Sequence, residues 1–131
     1  YNVTPEHTAR ARAALGPDKL LCPEQMVLLE KDPATARAVA RKALALSFSL
    51  PNYRNSYLRQ GFADSDLDQG GSDKLIDAIV AWGDEAAIRD RIQQHWDAGA
   101  DHVCIQPLRR DPATLAAADE KVLELLAPIH A

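Results

Sequence analysis

Three times in 131 residues a side chain able to cap a helix stands directly before proline: Thr4-Pro5, Asp32-Pro33 and Asp111-Pro112. The capping oxygen satisfies an orphaned amide, and proline's fixed φ suits the first helical position, so each pair predicts a helix start. Three uses of one device point to a repeated supersecondary unit. Gly16, after Ala9 to Leu15, and Gly99, after Trp96 to Ala98, supply stops. Between the helices run short apolar segments, Met26-Val27-Leu28-Leu29 and His102-Val103-Cys104-Ile105-Gln106, the second ended by Pro107. A continuous apolar run of this length reads as a strand buried on both faces. Helices alternating with such strands predict a parallel α/β sheet covered by helices.

The first helix is expected from Pro5 to Leu15, and Gly16-Pro17-Asp18 turns the chain into the strand region Leu20 to Glu30. The next helix starts at Pro33, carries the stripe Ala36, Val39, Ala40, Ala43 and Leu44, and ends near Leu50. Residues 51–71 lack a clear period, although Tyr53, Tyr57 and Leu58 suit a short helix. Asp64, Asp66 and Asp68 resemble part of a calcium loop, but the glycine and final glutamate positions do not match, which favours a solvated loop. Ser72 caps a helix through Leu75, Ile76, Ile79 and Val80, a cluster that also suits a strand. Gly83-Asp84 opens a helix with Ile88, Ile92 and Trp96 spaced four apart, and Asp111-Pro112 opens the last, with Leu115, Ala118, Val122, Leu125, Leu126 and Ile129.

Only two strands are convincing on this reading. Two parallel strands cannot close a barrel or form a satisfactory open sheet, and their edges stay unpaired. The pattern therefore calls for partner strands. The opening Tyr1-Asn2-Val3-Thr4, without an initiator methionine, is read as a cut inside a longer polypeptide.

Composition narrows the function classes. With 47% hydrophobic and 26% charged residues, the chain has the make-up of a single globular domain. A net charge of -4 with no basic run argues against nucleic acid as the main partner. No apolar run approaches the ~20 residues that cross a bilayer, and no signal peptide is visible, so a cytoplasmic location is expected. Cys22 and Cys104 suit either one disulfide or, as the preferred reading, two reduced core thiols.

An ordered set of segments carries a family resemblance: Tyr1-Asn2-Val3-Thr4-Pro5-Glu6-His7-Thr8, Leu21-Cys22-Pro23-Glu24-Gln25, Leu50-Pro51-Asn52-Tyr53, Gly70-Gly71-Ser72-Asp73, and Trp82-Gly83-Asp84-Glu85 through Ala98-Gly99-Ala100-Asp101-His102-Val103. Together they resemble the C-terminal region of luciferase-like, coenzyme F420-dependent oxidoreductases of actinobacteria, over essentially the whole chain. The resemblance implies a (β/α)8 TIM barrel of which residues 1–131 supply a single C-terminal segment: the last two strands, their helices and a late insertion at about residues 51–71. It also implies hydride transfer between the deazaflavin F420 and an organic small-molecule substrate, with the cofactor held mainly by an N-terminal half absent from this chain. On that reading the fragment is inactive alone. Flavin mononucleotide (FMN), in a luciferase-like monooxygenase, is the alternative cofactor. A reading from another class is a non-catalytic half-barrel that covers its open sheet by pairing with the missing half or with itself.

Barrel chemistry sits at the C-terminal ends of strands, here Glu30-Lys31 and Gln106 to Arg110. Arg109 and Arg110 are candidate anion contacts, Arg109 first, since guanidinium groups grip phosphate through two bonds; the plainer reading is a solvated pair bonding Asp111. Gln106 either points its amide into the barrel mouth or is satisfied by backbone. Arg54, Asn55, Tyr57 and Arg59 lie in the insertion, where the resemblance implies a substrate or cofactor-tail contact; a polar helix face packing on Tyr53 and Phe62 is the alternative. Gly83-Asp84-Glu85 replaces the family's frequent Gly-Thr-Pro and reads as a structural cap. His95 and His102 lack partners spaced for a triad and read as structural, as do Trp82 and Trp96, expected as core anchors. Glu24 and Glu30 are expected to pair with arginine or lysine. No catalytic or metal-binding residue is assigned.

Overall fold

The computed structural model describes residues 1–110 and 119–127. Helix α1 (Pro5–Leu15) leads to strand β1 (Glu24–Leu29), and α2 (Pro33–Ser49) follows. Helix α3 (Pro51–Arg59) and a 3-10 segment (Asp64–Gly70) come next, then α4 (Asp73–Ile79), β2 (Val80–Gly83), α5 (Glu85–Asp97), β3 (Cys104–Pro107) and α6 (Glu120–Leu126). The three strands form one parallel sheet in the order β2-β1-β3.

The caps act as expected where they are described. Thr4 accepts from the His7 amide, Asp32 from Thr35, Ser72 from Leu75 and Asp84 from Ala87, and proline follows the first two. The Asp111-Pro112 start, and Leu115, Ala118 and Ile129 of the last stripe, lie outside the described residues. Within them, α6 begins at Glu120 under an Asp119 cap and buries Val122 and Leu126.

Alternation along β1 divides the core in two. Met26 and Leu28 face a layer built from α2, α3 and α4 through Ala40, Leu44, Tyr57, Leu75, Ile76 and Ile79. Val27 faces the opposite layer, with Ile88 and Ile92 of α5 and Val122 and Leu126 of α6. Helices thus cover both faces of the sheet, and β1, hydrogen-bonded on either side, is its centre.

Four expectations need correction. There are three strands, because the helix from Ser72 stops at Ile79 and Val80–Gly83 continues directly as a strand. β1 needs no outside partner, since β2 and β3 fill both its edges. The short helix that Tyr53, Tyr57 and Leu58 suit does form, as α3 with Pro51 at its first position, but Asp64–Gly70, expected as loop, is a 3-10 segment. Pro107 lies inside β3 rather than beyond it. The amides of Cys104 and Leu108 point at β1, bonding Pro23 O at 2.9 Å and Val27 O at 2.8 Å. Alternation then turns the nitrogen of residue 107 outward, where a missing N–H breaks no bond to β1.

Candidate functional site

The carboxyl ends of the three strands meet at one edge of the sheet. β1 runs out into Glu30-Lys31, β2 into Gly83-Asp84, and β3 into Leu108-Arg109-Arg110. Two ion pairs join these ends: Arg110 Nε to Glu30 Oε2 at 2.8 Å, and Lys31 Nζ to Asp84 Oδ2 at 3.4 Å. The Glu30 side chain is only 7% exposed and that of Arg110 is 67% exposed, so the carboxylate is fixed while most of the arginine lies in solvent. Glu30 Oε1 also accepts from the Asp32 amide at 2.9 Å, tying the carboxylate to the start of α2. The Ala87 amide first, and then Lys31, hold the Asp84 carboxyl below its ordinary range.

Beside this edge lies an open cleft of ≈ 660 Å³ lined by Leu28, Leu29, Arg109, Arg110, Asp119, Glu120 and Lys121. Its lining mixes the cationic Arg109, Arg110 and Lys121 with the acidic Asp119 and Glu120 and the apolar end of β1.

The sequence candidates fall into three separate places. Arg109 and Arg110 share the cleft, and Arg110 is held by the expected Glu30 pairing; Asp111 lies outside the described residues. Gln106 lies on the α2–α4 side of β3, opposite Met26, with its side-chain oxygen buried and unpartnered. Arg54 belongs to the insertion, bonding Asp64 at 2.6 Å, with Asp68 at 3.9 Å. Asn55 and Arg59 are exposed on α3, and Tyr57 is wholly buried. Neither the cleft lining nor any ion pair brings Arg54 or Asn55 to Arg109.

The chain matches no family model, no curated protein and no solved structure.

Other expectations change with the geometry. Cys22 and Cys104 are free and exposed, so neither a disulfide nor a buried thiol pair is formed. Trp96 is 49% exposed, and His95 takes the core position instead. Trp82 is partly buried and donates to Asp77 Oδ1 at 2.9 Å while Arg37 stacks 5.6 Å above its ring. Burial pushes the Asp77 carboxyl up, but bonds from Arg37 and Trp82 outweigh it and hold the group below its ordinary range. Glu24, unlike Glu30, leaves a carboxyl oxygen buried without a partner, and burial raises its pKa.

The acids of the 3-10 segment serve the local backbone and its neighbours: Asp66 accepts from the Ala63 amide at 3.0 Å and the Ser72 hydroxyl at 2.8 Å. Among the described residues no group of three or more His, Cys, Asp or Glu is placed to hold a metal ion. Nor is any helix among them long and apolar enough to cross a membrane.

Proposed function

We propose that this chain is the C-terminal part of a luciferase-like oxidoreductase that moves a hydride between a deazaflavin, coenzyme F420, and a small organic substrate. The observation that carries the reading is a ligand-sized cleft at the carboxyl ends of the neighbouring parallel strands β1 and β3, with Arg109 and Arg110 in its wall. Parallel α/β proteins place their chemistry at this edge. When bound, the deazaflavin would supply the hydride chemistry.

The residues present fit an anionic tail better than a ring system. Two guanidinium groups line the cleft, whereas among the described residues no aromatic side chain in its wall would stack on a flat ring. This chain's part is therefore to anchor and orient: Glu30 positions Arg110, and Leu28 and Leu29 give the cleft an apolar side. The ring and the substrate-activating groups belong, on this reading, to the earlier strands of a (β/α)8 barrel in the cytoplasm. FMN in place of F420 keeps the same assignment of roles.

A specific observation favours a second reading of the architecture. In a barrel wound in chain order β3 would lie beside β2, whereas here β1 stands between them and helices cover both faces. An open doubly wound sheet binds ligands where loops from neighbouring strands leave toward opposite faces. The loop after β1 enters α2 on one face, and α6, which follows β3, packs on the other, so the crevice falls at the same cleft. Either architecture leaves sheet edges that a missing half or a second copy would cover.

The test is a titration of F420 and of FMN, followed by absorbance and fluorescence, on the longer polypeptide that this reading requires and on the chain alone. The longer protein should bind one of the two stoichiometrically and turn it over with a reducible or oxidisable partner. Arg109→Ala should weaken that binding about tenfold or more, the loss of one charged hydrogen-bonding contact. A folded long form that binds neither cofactor removes the oxidoreductase reading. Stoichiometric tight binding by the chain alone removes the division of labour.

A further inference from the structure

Strand β3 is the last of the sheet on its side, with β1 as its one neighbour among the described strands. The Cys104 amide is bonded to Pro23 O and the Leu108 amide to Val27 O, so alternation turns the backbone groups of Val103, Ile105 and Pro107 away from β1. Pro107 has no N–H, which leaves Val103 and Ile105 as the outward donors. Among the described residues the Val103 amide meets no backbone acceptor. An open row of this kind pairs with another strand unless charge, a bulge or a cover prevents it. Val103-Cys104-Ile105-Gln106-Pro107 carries no charge, so two copies of it meet without repulsion.

The donors choose the direction and register of a partner. A parallel neighbour running the length of β3 would look for a donor at residue 107 and find the proline ring. Two copies related by a two-fold axis run antiparallel. Outward groups then match outward groups, with both donors inside the paired stretch, when the axis lies at Val103, Cys104 or Ile105. An axis at Ile105 sets Pro107 opposite Val103, with its ring against the Val103 carbonyl. An axis at Val103 sets Ile105 opposite Asp101, whose amide is spent on Leu21 O at 2.9 Å. An axis at Cys104 sets Val103 opposite Ile105 on both sides. Every outward donor then finds a carbonyl, and Pro107 stays beyond the ladder.

We propose that two copies of this chain join edge to edge along β3, antiparallel about a two-fold axis at Cys104, to make one continuous sheet. The proposal uses no feature of the cleft and stands apart from the oxidoreductase reading.

The side chains agree with this register. Val103 of each copy lies beside Ile105 of the other on the face covered by α5 and α6, a β-branched cross-strand pair. That face is apolar next to the edge. Val103 and Ile105 line a groove of ≈ 560 Å³ together with Ile92 of α5 and Leu123 and Leu126 of α6. Leu123 is 40% exposed there. On the other face Cys104, exposed in one copy, meets Cys104 of the second. Opposite residues that exchange no ladder bonds have α-carbons about 4.5 Å apart, within the span of a disulfide.

Cys22 supplies an internal control, because it is exposed as Cys104 is but lies ahead of β1. With oxidised glutathione, one Cys104 thiolate attacks the glutathione disulfide, and Cys104 of the second copy then displaces the bound glutathione. Two protein thiols become one disulfide, and the oxidant leaves as two molecules of reduced glutathione. Sedimentation equilibrium of the reduced chain should show a dimer. After oxidation, peptide mass spectrometry should find Cys104–Cys104 links about tenfold or more in excess of links involving Cys22. Cys104→Lys sets two ammonium groups against each other on the axis and should weaken the dimer about tenfold or more, whereas Cys22→Lys should leave it unchanged. A chain that stays monomeric up to about 0.1 mM leaves this edge to a strand of the missing half and overturns the proposal. A dimer whose links involve Cys22 as often as Cys104, or one that Cys104→Lys does not weaken, places the contact elsewhere and overturns it too. Should Cys104→Lys fail to fold, the ratio of links in the unmodified chain decides.

Discussion

Gly71 offers a perturbation whose two components can be separated. It joins the 3-10 segment to α4 with φ 98 and ψ 134, and its carbonyl accepts from Arg41 Nε at 2.9 Å. A β-carbon placed there would lie 2.9 Å from Phe48 Cζ and 3.3 Å from Ile76 Cδ1. Ile76 is fully buried, and the Phe48 ring is braced by Tyr57, with centroids 5.7 Å apart, so neither yields freely. Gly61, after α3, has nearly the same φ, +99, but nothing within 4 Å of its would-be β-carbon. Gly61→Ala therefore measures backbone strain alone, about 1–2 kcal/mol. Gly71→Ala adds overpacking of about 1–3 kcal/mol, for a total of about 2–5 kcal/mol, a large share of the stability of a domain this size. Urea unfolding followed by tryptophan fluorescence reads both variants. If the two losses agree within about 0.5 kcal/mol, Phe48 and Ile76 do not press on Gly71 and the packing argument fails.

Three further outcomes are expected. Trp96→Gln should change stability by less than about 0.5 kcal/mol, whereas Trp82→Leu, which removes the bond to Asp77 and the stacking under Arg37, should cost about 1–3 kcal/mol in the same urea assay; the reverse ranking would overturn the core assignment. Both thiols should react fully with a chromogenic disulfide reagent without denaturant, and protection of either until unfolding would contradict its exposed placement. Because the docked His95 ring takes up its proton at lower pH than an unfolded one, its stabilising contribution is fully present above pH 6.5 and is lost as pH falls toward 4. That loss is worth up to about 3 kcal/mol, and a urea midpoint that does not change across this window would refute it.

What the sequence disclosed depended on how local the physics was. Helix starts at Pro5 and Pro33 were legible because cap and proline act within four residues, and the caps at Ser72 and Asp84 followed the same logic. β2 was hidden because no turn residue separates it from α4: the apolar run Leu75, Ile76, Ile79 passes straight into Val80, and the period changes without punctuation. The burial of His95 was misplaced by counting in fours. Ile88 and Ile92 are followed on the same face by residue 95, since two steps of four overshoot two helical turns by 0.8 residue, or about 80°. Spacing of i, i+4, i+7 would have pointed to His95 instead of Trp96. At the site, the strand-end positions Glu30 and Arg110 followed from the α/β pattern, but their pairing needs β1 and β3 side by side, which alternation alone does not specify. Arg54 and Asn55 came from the resemblance, and the fold puts them on the insertion instead of the cleft.

The position of Pro107 limits how this sheet can grow. β1 has no free edge, so any added strand must join β2 or β3. On β3 the outward nitrogens belong to Val103, Ile105 and Pro107, because the Cys104 and Leu108 amides are spent on β1. Pro107 offers no donor, so an outer ladder on β3 loses its bond at the carboxyl end, beside Arg109 and Arg110. A strand docking there would be held along the amino-terminal half and left unzipped next to the cleft.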